Sequence, residues 1–170
     1  TYYFERLITQ FRDLIVARRE GIFELDFRLR PYGSAGSLAV SVEAFKSYFA
    51  PGGPAWPFER QALVKLRPIA GHKSLSHKVL ALRDQDIYCG QSFDITAMHG
   101  MREKQIMQLV SGGGINAKLS PGGLVDIEYL VQGLQIAHGE KMASIRVPHT
   151  MKALEKLCDA RILTQQQSDD

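Results

Sequence analysis

Cysteine and long apolar runs are both scarce in this sequence. Only Cys89 and Cys158 occur among the 170 residues, without a Cys-x-x-Cys pair or a Cys/His cluster. We therefore expect free thiols, and neither a disulfide framework nor a structural zinc site. No apolar stretch approaches the roughly 20 residues that a membrane-spanning helix needs, and the first residues lack the features of a signal peptide. The sequence predicts a cytoplasmic location and no membrane partner.

An excess of one charge is also lacking. The chain has 21 Lys+Arg against 18 Asp+Glu, a formal net charge of +3. Because the two signs are interleaved, the pattern is typical of solvated helix faces, and we expect no nucleic-acid partner. Asp84 and Asp86 lie in a helical context and are interpreted as part of such a face. None of the five histidines has metal-ligand spacing.

Hydrophobic periodicity predicts helices with one strand-like interruption near the beginning. Apolar residues spaced by three and four predict a helix over 2–19. Residues 22–30 instead alternate apolar and charged side chains, which predicts a strand with one apolar and one charged face. Turn residues follow over 31–36, and residues 37–41 can return as a second strand. A β-hairpin is therefore expected.

From residue 42 onward the pattern is helical. The Gly-rich run over 111–114 is the clearest candidate linker. A long helix follows it, with a predicted core stripe of Leu124, Ile127, Val131 and Leu134. The predicted domains are a partial first domain, a helical connection with the Gly-rich linker, and a helical bundle, over 1–72, 73–115 and 116–170.

The charged face of the predicted strand carries the clearest chemical signal. Asp26 lies between apolar residues and is followed at alternate positions by Arg28 and Arg30. Enzymes that transfer a nucleotidyl group need carboxylates to hold Mg²⁺ and cations to balance the charge that develops on the phosphates. A surface strand with a same-face ion pair would show the same alternation, so periodicity alone leaves both interpretations open.

Two blocks of the sequence resemble the glutamine synthetase adenylyltransferase family. The first is LDFRLRPYGSAGSLAVSVEAFKSYF followed by ERQALVKLRPIAG, which is similar to the family's Asp-x-Arg-Leu-Arg-Pro strand, glycine turn and Gln-Ala-Leu helix. The second is LSPGGLVDIEYLVQGLQIAHG, which is similar to the family's Gly-Gly-x-x-Asp-Ile-Glu helix. The blocks occur in the order that the family has, and together they cover most of the chain.

The resemblance implies a fold and a set of site residues. It implies an α+β fold, in which a helix and a β-hairpin form the C-terminal part of a polymerase-β-type nucleotidyltransferase domain and a mainly helical domain follows. Asp26 matches the third catalytic and metal-binding aspartate, and Arg28 and Arg30 match the arginines after it. The helix match places further polar side chains where they can face a bound nucleotide: Glu59, Gln61, Lys65 and Arg67. The paired aspartates that precede the third are not in this chain, so the chain alone is expected to be inactive.

The second block allows two interpretations. Gly122 and Gly123 precede a helix whose N-terminal N–H groups can bind a phosphate. The structural alternative, which we favour, is that Asp126 interacts with this helix terminus and that Glu128 forms a salt bridge with Arg28 or Arg30.

The activity implied by the resemblance is transfer of AMP from ATP to a tyrosine of glutamine synthetase, with Mg²⁺, or its removal by phosphorolysis. Asp126 favours the transferase half. Glutamine synthetase is the expected partner, and the PII signal protein is a further one. Two alternatives remain open, a related PII-type uridylyltransferase and a non-catalytic helical module that binds a protein.

Overall fold

The computed structural model describes residues 2–18, 25–90, 93–110 and 115–169. The chain divides into two compact units, Thr1–Ala55 and Trp56–Asp170. The helices of the described residues are α1 Tyr2–Arg18, α2 Val42–Phe49, α3 Pro57–Ala62, α4 Lys73–Ile87, α5 Ile95–Leu109, α6 Leu124–Gly139, α7 Thr150–Asp159 and α8 Gln165–Asp169. Short 3₁₀ helices cover Gly33–Ala35, Leu63–Lys65 and Ala143–Ile145.

The first unit contains α1 and α2, and the described residues between them, 25–41, form turns, irregular structure and one short 3₁₀ helix. The Ser41 hydroxyl accepts a hydrogen bond from the Ala44 N–H and so caps the start of α2. Two aromatic residues at the end of this helix, Tyr48 and Phe49, are buried. The Tyr32 ring meets the Tyr48 ring edge to face, with 4.6 Å between centroids. The core of this unit is therefore small and aromatic.

The α+β fold class with its β-hairpin is wrong. Residues 25–27 have no regular secondary structure, residues 28–36 form turns and a 3₁₀ helix, and no strand occurs in the described parts of the chain. A strand needs a partner to satisfy its backbone groups, and an isolated hairpin is marginal in water. Here the Arg30 side chain satisfies the carbonyls of the segment instead. The predicted strand residues 22–24 lie outside the described residues.

The second unit is a helical bundle built around α6 and α7. Val131, Ile145, Ala153 and Leu157 are almost completely buried and form one core cluster. The His149 ring accepts a hydrogen bond from the Lys152 N–H at the start of α7. The short helix α3 packs against α5 and α6, and α4 packs against the Leu63–Lys65 turn. Apolar burial between helices therefore stabilises this unit.

The buried face of α6 differs from the predicted stripe. Val131 is buried and Leu134 packs against the core, as predicted, but Leu124 and Ile127 are 60% and 44% exposed. The buried positions of α6 are Val125, Val131, Gln132, Gly133, Gln135, Ile136 and Gly139. Two glutamines are among them because each has a partner: the Gln132 amide oxygen accepts from Gln61, and the Gln135 amide nitrogen donates to two carbonyls. Buried amides are tolerated when they are hydrogen-bonded in this way.

Two sequence-based expectations about chain organisation stay predictions. The Gly-rich linker over 111–114 lies outside the described residues, and the domain limits at 72 and 115 are not tested. Across the described parts of the chain, no helix is both long and apolar enough to cross a membrane.

Candidate functional site

Asp26 and Arg28 form a compact ion pair in the loop after α1. The Arg28 Nη2 lies 2.7 Å from Asp26 Oδ2, and the Arg28 Nε lies 3.0 Å from Oδ1. The Arg28 backbone N–H donates to the same carboxylate. These hydrogen bonds from Arg28 hold the pKa of Asp26 at about 2, below its ordinary value of 3.8. The carboxylate is therefore ionised at neutral pH while its side chain is half exposed.

Arg30 binds the backbone of the same loop, and its predicted nucleotide-binding role stays a prediction. Its guanidinium donates to the carbonyl oxygens of Phe27, Ser34 and Gly36, at 2.6, 3.1 and 2.9 Å. A Cβ at Gly36 would overlap the Pro31 carbonyl, so the loop closes only around glycine. Arg30 thus organises the loop that carries Asp26 and Arg28.

The described residues do not fit a complete metal site. Nowhere in the described ranges do three His, Cys, Asp or Glu side chains lie close enough together to hold a metal ion. Asp26 offers one carboxylate, and Arg28 occupies it. A divalent ion such as Mg²⁺ needs an octahedral set of oxygen ligands, which Asp26 alone does not provide.

The other two predicted nucleotide-binding residues lie in the second unit. Lys65 donates to Glu128 Oε1 at 3.0 Å and to the Thr150 hydroxyl, so it connects the Leu63–Lys65 turn to α6 and α7. Glu128 therefore has Lys65 as its salt-bridge partner, where the sequence suggested Arg28 or Arg30. Arg67 is exposed in the loop that follows. The nucleotide-binding roles of Lys65 and Arg67 stay predictions.

The start of α6 satisfies its own backbone donors. The N–H groups of residues 123–126 donate to carbonyls of the preceding loop and of Gly123. The Asp126 carboxylate accepts from the Gly122 N–H at 2.7 Å. Because these donors are occupied and a carboxylate is already present, this helix terminus is poorly suited to bind a phosphate. The structural interpretation of Asp126 fits these contacts.

Arg102 is a residue that the sequence reasoning missed. It extends from α5, is 6% exposed, and donates through Nε to the Asp126 carboxylate. Its Nη2 also donates to the carbonyls of Leu119 and Ser120. The hydrogen bond from Arg102 is the main reason that the pKa of Asp126 lies below its ordinary value. No local signal marks Arg102, because its partners lie 17 to 24 residues later in the chain.

The pair Asp84 and Asp86 is not the solvated face that was predicted. Asp86 is 5% exposed, and Asp84 lies between the guanidinium groups of Arg83 and Arg146. Both arginines also lie over the buried Tyr88 ring, at 5.8 and 5.1 Å from its centroid. Burial raises the pKa of the Tyr88 hydroxyl to about 12. This cluster stabilises the end of α4.

Comparison with known proteins gives matches to both halves of the chain. Residues 2–82 match the family model for glutamate-ammonia ligase adenylyltransferase, and residues 96–170 match the model for GlnD PII-uridylyltransferase. A relative from Xanthomonas campestris pv. campestris is 35% identical over 164 residues, 92% of this chain. Relatives from Pseudomonas putida and Mycobacterium bovis are 33% and 34% identical over 80% and 79% of the chain. All three are named bifunctional glutamine synthetase adenylyltransferase/adenylyl-removing enzymes.

These matches show the enzyme class of the chain and, within it, the family. Both family models are named for transfer of a nucleotidyl group, so the chain is related to nucleotidyltransferases. Within that class, the chain belongs to the glutamine synthetase adenylyltransferase family, as its two sequence blocks predicted. It spans between 14% and 17% of the length of the relatives that it matches.

Proposed function

We propose that this chain is part of an enzyme that transfers AMP from ATP to a tyrosine of glutamine synthetase, or removes that AMP by phosphorolysis. The observation that carries the proposal is the match of residues 2–82 to the adenylyltransferase model, because this range contains the Asp26 loop. The relatives that match most of the chain are named for adenylyl transfer to glutamine synthetase and for adenylyl removal. The proposal includes a cytoplasmic location, since ATP is the substrate, and the PII signal protein as a second partner.

In this proposal Asp26 is a carboxylate of the reaction centre and Arg28 contacts the phosphates of the nucleotide. The ionised, half-exposed state of Asp26 supports the first role. The 81% exposure of the Arg28 side chain supports the second, because a guanidinium near the surface can reach an anionic ligand. Binding of phosphates would draw Arg28 from Asp26 and uncover the carboxylate. Mg²⁺ would need further ligands besides Asp26, so no metal-dependent step is assigned to these residues.

The experiment compares two aspartate variants in the longest reading frame that contains this chain. Transfer of radiolabel from ATP to glutamine synthetase is measured for the wild type, Asp26→Asn and Asp13→Asn. Asp13 is the matched control, because it is also exposed and paired with a nearby arginine, Arg12. We expect Asp26→Asn to lose roughly 100-fold or more in rate, the scale on which loss of transition-state charge stabilisation acts. Asp13→Asn is expected to retain its rate.

A folded Asp26→Asn protein with normal turnover would reduce Asp26 to a structural partner of Arg28. Label transfer by the isolated 170-residue chain would contradict the view that it holds only part of the site. Circular dichroism spectra that match the wild type are the condition for comparing the two variants.

A PII-type uridylyltransferase is the second candidate, because residues 96–170 match that family model. It predicts transfer of label from UTP to the PII protein in place of transfer from ATP to glutamine synthetase. If neither reaction is observed with the longest reading frame, the third alternative, a non-catalytic helical module, is favoured.

A further inference from the structure

The first two turns of α4 and the loop before them form an unusually basic part of the surface. Residues 60–83 contain six of the 21 cationic side chains of the chain and none of its 18 acids, although Lys65 and Arg83 are paired with Glu128 and Asp84 from outside this range. Arg67, Lys73 and Lys78 are exposed, and within the described residues none of them has a carboxylate partner. The exposed His72 and His77 lie among them. Acidic and basic residues are interleaved along most of the chain, but the charged residues of this range are all basic.

An apolar groove of about 180 Å³ lies within this basic surface. Its aliphatic lining is formed by Leu66, Pro68, Ala70, Leu75, Val79 and Leu80. Arg67, His72 and Ser76 supply the polar part of the lining. Leu75 is 47% exposed, so part of the floor is open to a ligand. We call this feature, residues 66–80, the basic groove.

Helical geometry places cations on both sides of the basic groove. The groove-lining positions Leu75 and Val79 are four residues apart on α4, as are Ser76 and Leu80, and they form one stripe of the helix. At 100° per residue, Lys73 falls beside the Leu80 edge of this stripe and Lys78 beside the Leu75 edge. A ligand seated in the stripe would therefore meet a lysine on each flank.

The chemistry of the groove favours a peptide over a nucleotide or a nucleic acid. Among the described residues no Phe, Tyr or Trp ring lines it, although stacking on such rings is the usual way to hold a base. Three N–H groups at the start of α4 are not available to a phosphate, since those of Ser74, Leu75 and Ser76 all donate to His72. The groove therefore offers an aliphatic floor between the positively charged side chains of Lys73 and Lys78. An aliphatic side chain flanked by carboxylates complements that arrangement.

We propose that the basic groove docks an acidic segment of a protein partner, with an aliphatic side chain on the Leu75 floor and carboxylates at Lys73 and Lys78. Lys73, Leu75 and Lys78, which carry this proposal, have no role in the reaction proposed above, so the proposal does not depend on that activity. It assigns the first turns of α4 to partner recognition.

Binding of a labelled peptide to the full 170-residue chain tests this proposal. The probe is a fluorescein-labelled peptide of about ten residues in which leucines are flanked by glutamates, and fluorescence anisotropy reports its affinity. The double variant Lys73→Glu/Lys78→Glu is compared with Lys104→Glu/Lys152→Glu, which makes the same charge change at exposed lysines of α5 and α7. The milder Lys73→Gln/Lys78→Gln pair retains helix-forming residues, and circular dichroism checks that each variant is folded.

We expect saturable binding that falls roughly tenfold with the Lys73→Glu/Lys78→Glu pair, since each exposed charge pair contributes modestly. The control pair should change the affinity by less than about twofold. Leu75→Gln should weaken binding severalfold, and a peptide with glutamines for glutamates should not bind.

Equal losses in the groove pair and the control pair would overturn the proposal, because the attraction would then be a general charge effect. Absence of saturable binding would overturn it as well. Polyuridylate and ATP are tested as competing probes. If either binds the wild type, binds the Lys73→Glu/Lys78→Glu variant more weakly and binds Leu75→Gln with unchanged affinity, the groove is a nucleotide site and the proposal is overturned.

Discussion

Arg30 and Arg102 each use one guanidinium group to satisfy several oxygens of a loop. Arg30 donates to three carbonyls between residues 27 and 36, and Arg102 donates to Asp126 and to the carbonyls of residues 119 and 120. Only arginine has enough donors in a fixed planar arrangement for such a set of acceptors. Irregular segments next to α6 and after α1 are therefore held by single side chains.

Removing Arg102 should destabilise the second unit. Arg102→Met keeps much of the side-chain length but leaves Asp126 and two loop carbonyls without this donor, so we expect a loss of about 2–3 kcal/mol in the free energy of unfolding. Urea unfolding followed by circular dichroism measures the loss. Lys104→Met, on the same helix but exposed, is the control and should change the free energy by less than about 0.5 kcal/mol.

The acid dependence of unfolding tests the same contact. Because Arg102 lowers the pKa of Asp126 in the folded state, this pair contributes stability above the ordinary pKa of 3.8 and loses it as the pH falls below that value. The difference between the wild type and Arg102→Met should therefore decrease in acid. A difference that stays constant down to pH values well below 3.8 would mean that the loop carbonyls, and not Asp126, account for the effect.

At the scale of elements, two helices contain glycines in opposite environments. A Cβ at Gly139, the last residue of α6, would overlap the ring of Tyr88, which is buried and lies under Arg83 and Arg146. A Cβ at Gly100, inside α5, would meet no atom of the described residues within 4 Å. Gly139 is thus required by packing, whereas Gly100 only weakens its helix.

The two glycines should respond to alanine with opposite signs. Gly139→Ala is expected to lower the free energy of unfolding by about 1–3 kcal/mol, because the added methyl group would overlap the ring of the buried Tyr88. Gly100→Ala is expected to raise it by roughly 0.5–1 kcal/mol through better helix propensity. Thermal and urea unfolding measure both changes. A stabilising Gly139→Ala would show that the end of α6 can separate from Tyr88 without cost.

The elements show which features a sequence can predict. The limits of α6 follow from local signals, namely the Pro-Gly-Gly start, the 3.6-residue period and Gly139 at the end. The strand predicted over residues 22–30 could not be established from those residues alone. An alternating pattern describes the side chains, whereas a strand forms only if a neighbouring strand pairs with it. The buried face of α6 was missed for a related reason. Gln132 looks like a surface residue until Gln61, 71 residues earlier, is placed beside it.

The residues of the candidate site could be predicted from the sequence, but their contacts could not. Asp26, Arg28 and Arg30 were identified from their spacing and their match to the family motif, and all three lie in one loop. The sequence did not predict that Arg28 would bind Asp26 while Arg30 would bind backbone carbonyls. Those carbonyls are accessible to Arg30 only because residues 27–36 form turns in place of a strand. The partners of Asp126 and Glu128 depend on contacts between helices distant in sequence.

At the scale of the whole molecule, the two units differ in how much core each one has. The second unit contains the cluster of Val131, Ile145, Ala153 and Leu157, and its main polar contacts also connect residues of that unit. The described part of the first unit buries only Tyr48, Phe49 and Ala55 among its hydrophobic residues. Apolar burial is the main favourable term in folding, so the two units should differ in independent stability.

Expressed separately, residues 56–170 should fold and residues 1–55 should not. We expect the longer segment to unfold cooperatively on heating and to give dispersed amide resonances, because its core cluster and its Gln61–Gln132 and Lys65–Glu128 contacts are all retained. The shorter segment is expected to show partial helicity without a cooperative transition, since a core of three residues falls well short of the ordering entropy of about 1.5 kcal/mol per residue. Circular dichroism melting and two-dimensional NMR spectra distinguish the two behaviours.

Leu157→Ala in the longer segment is the control, and loss of this fully buried side chain should lower its stability by about 2–5 kcal/mol. A non-cooperative melt of residues 56–170 would show that the helical core described here is insufficient by itself, and a cooperative melt of residues 1–55 would show that its aromatic contacts stabilise more than their buried area indicates.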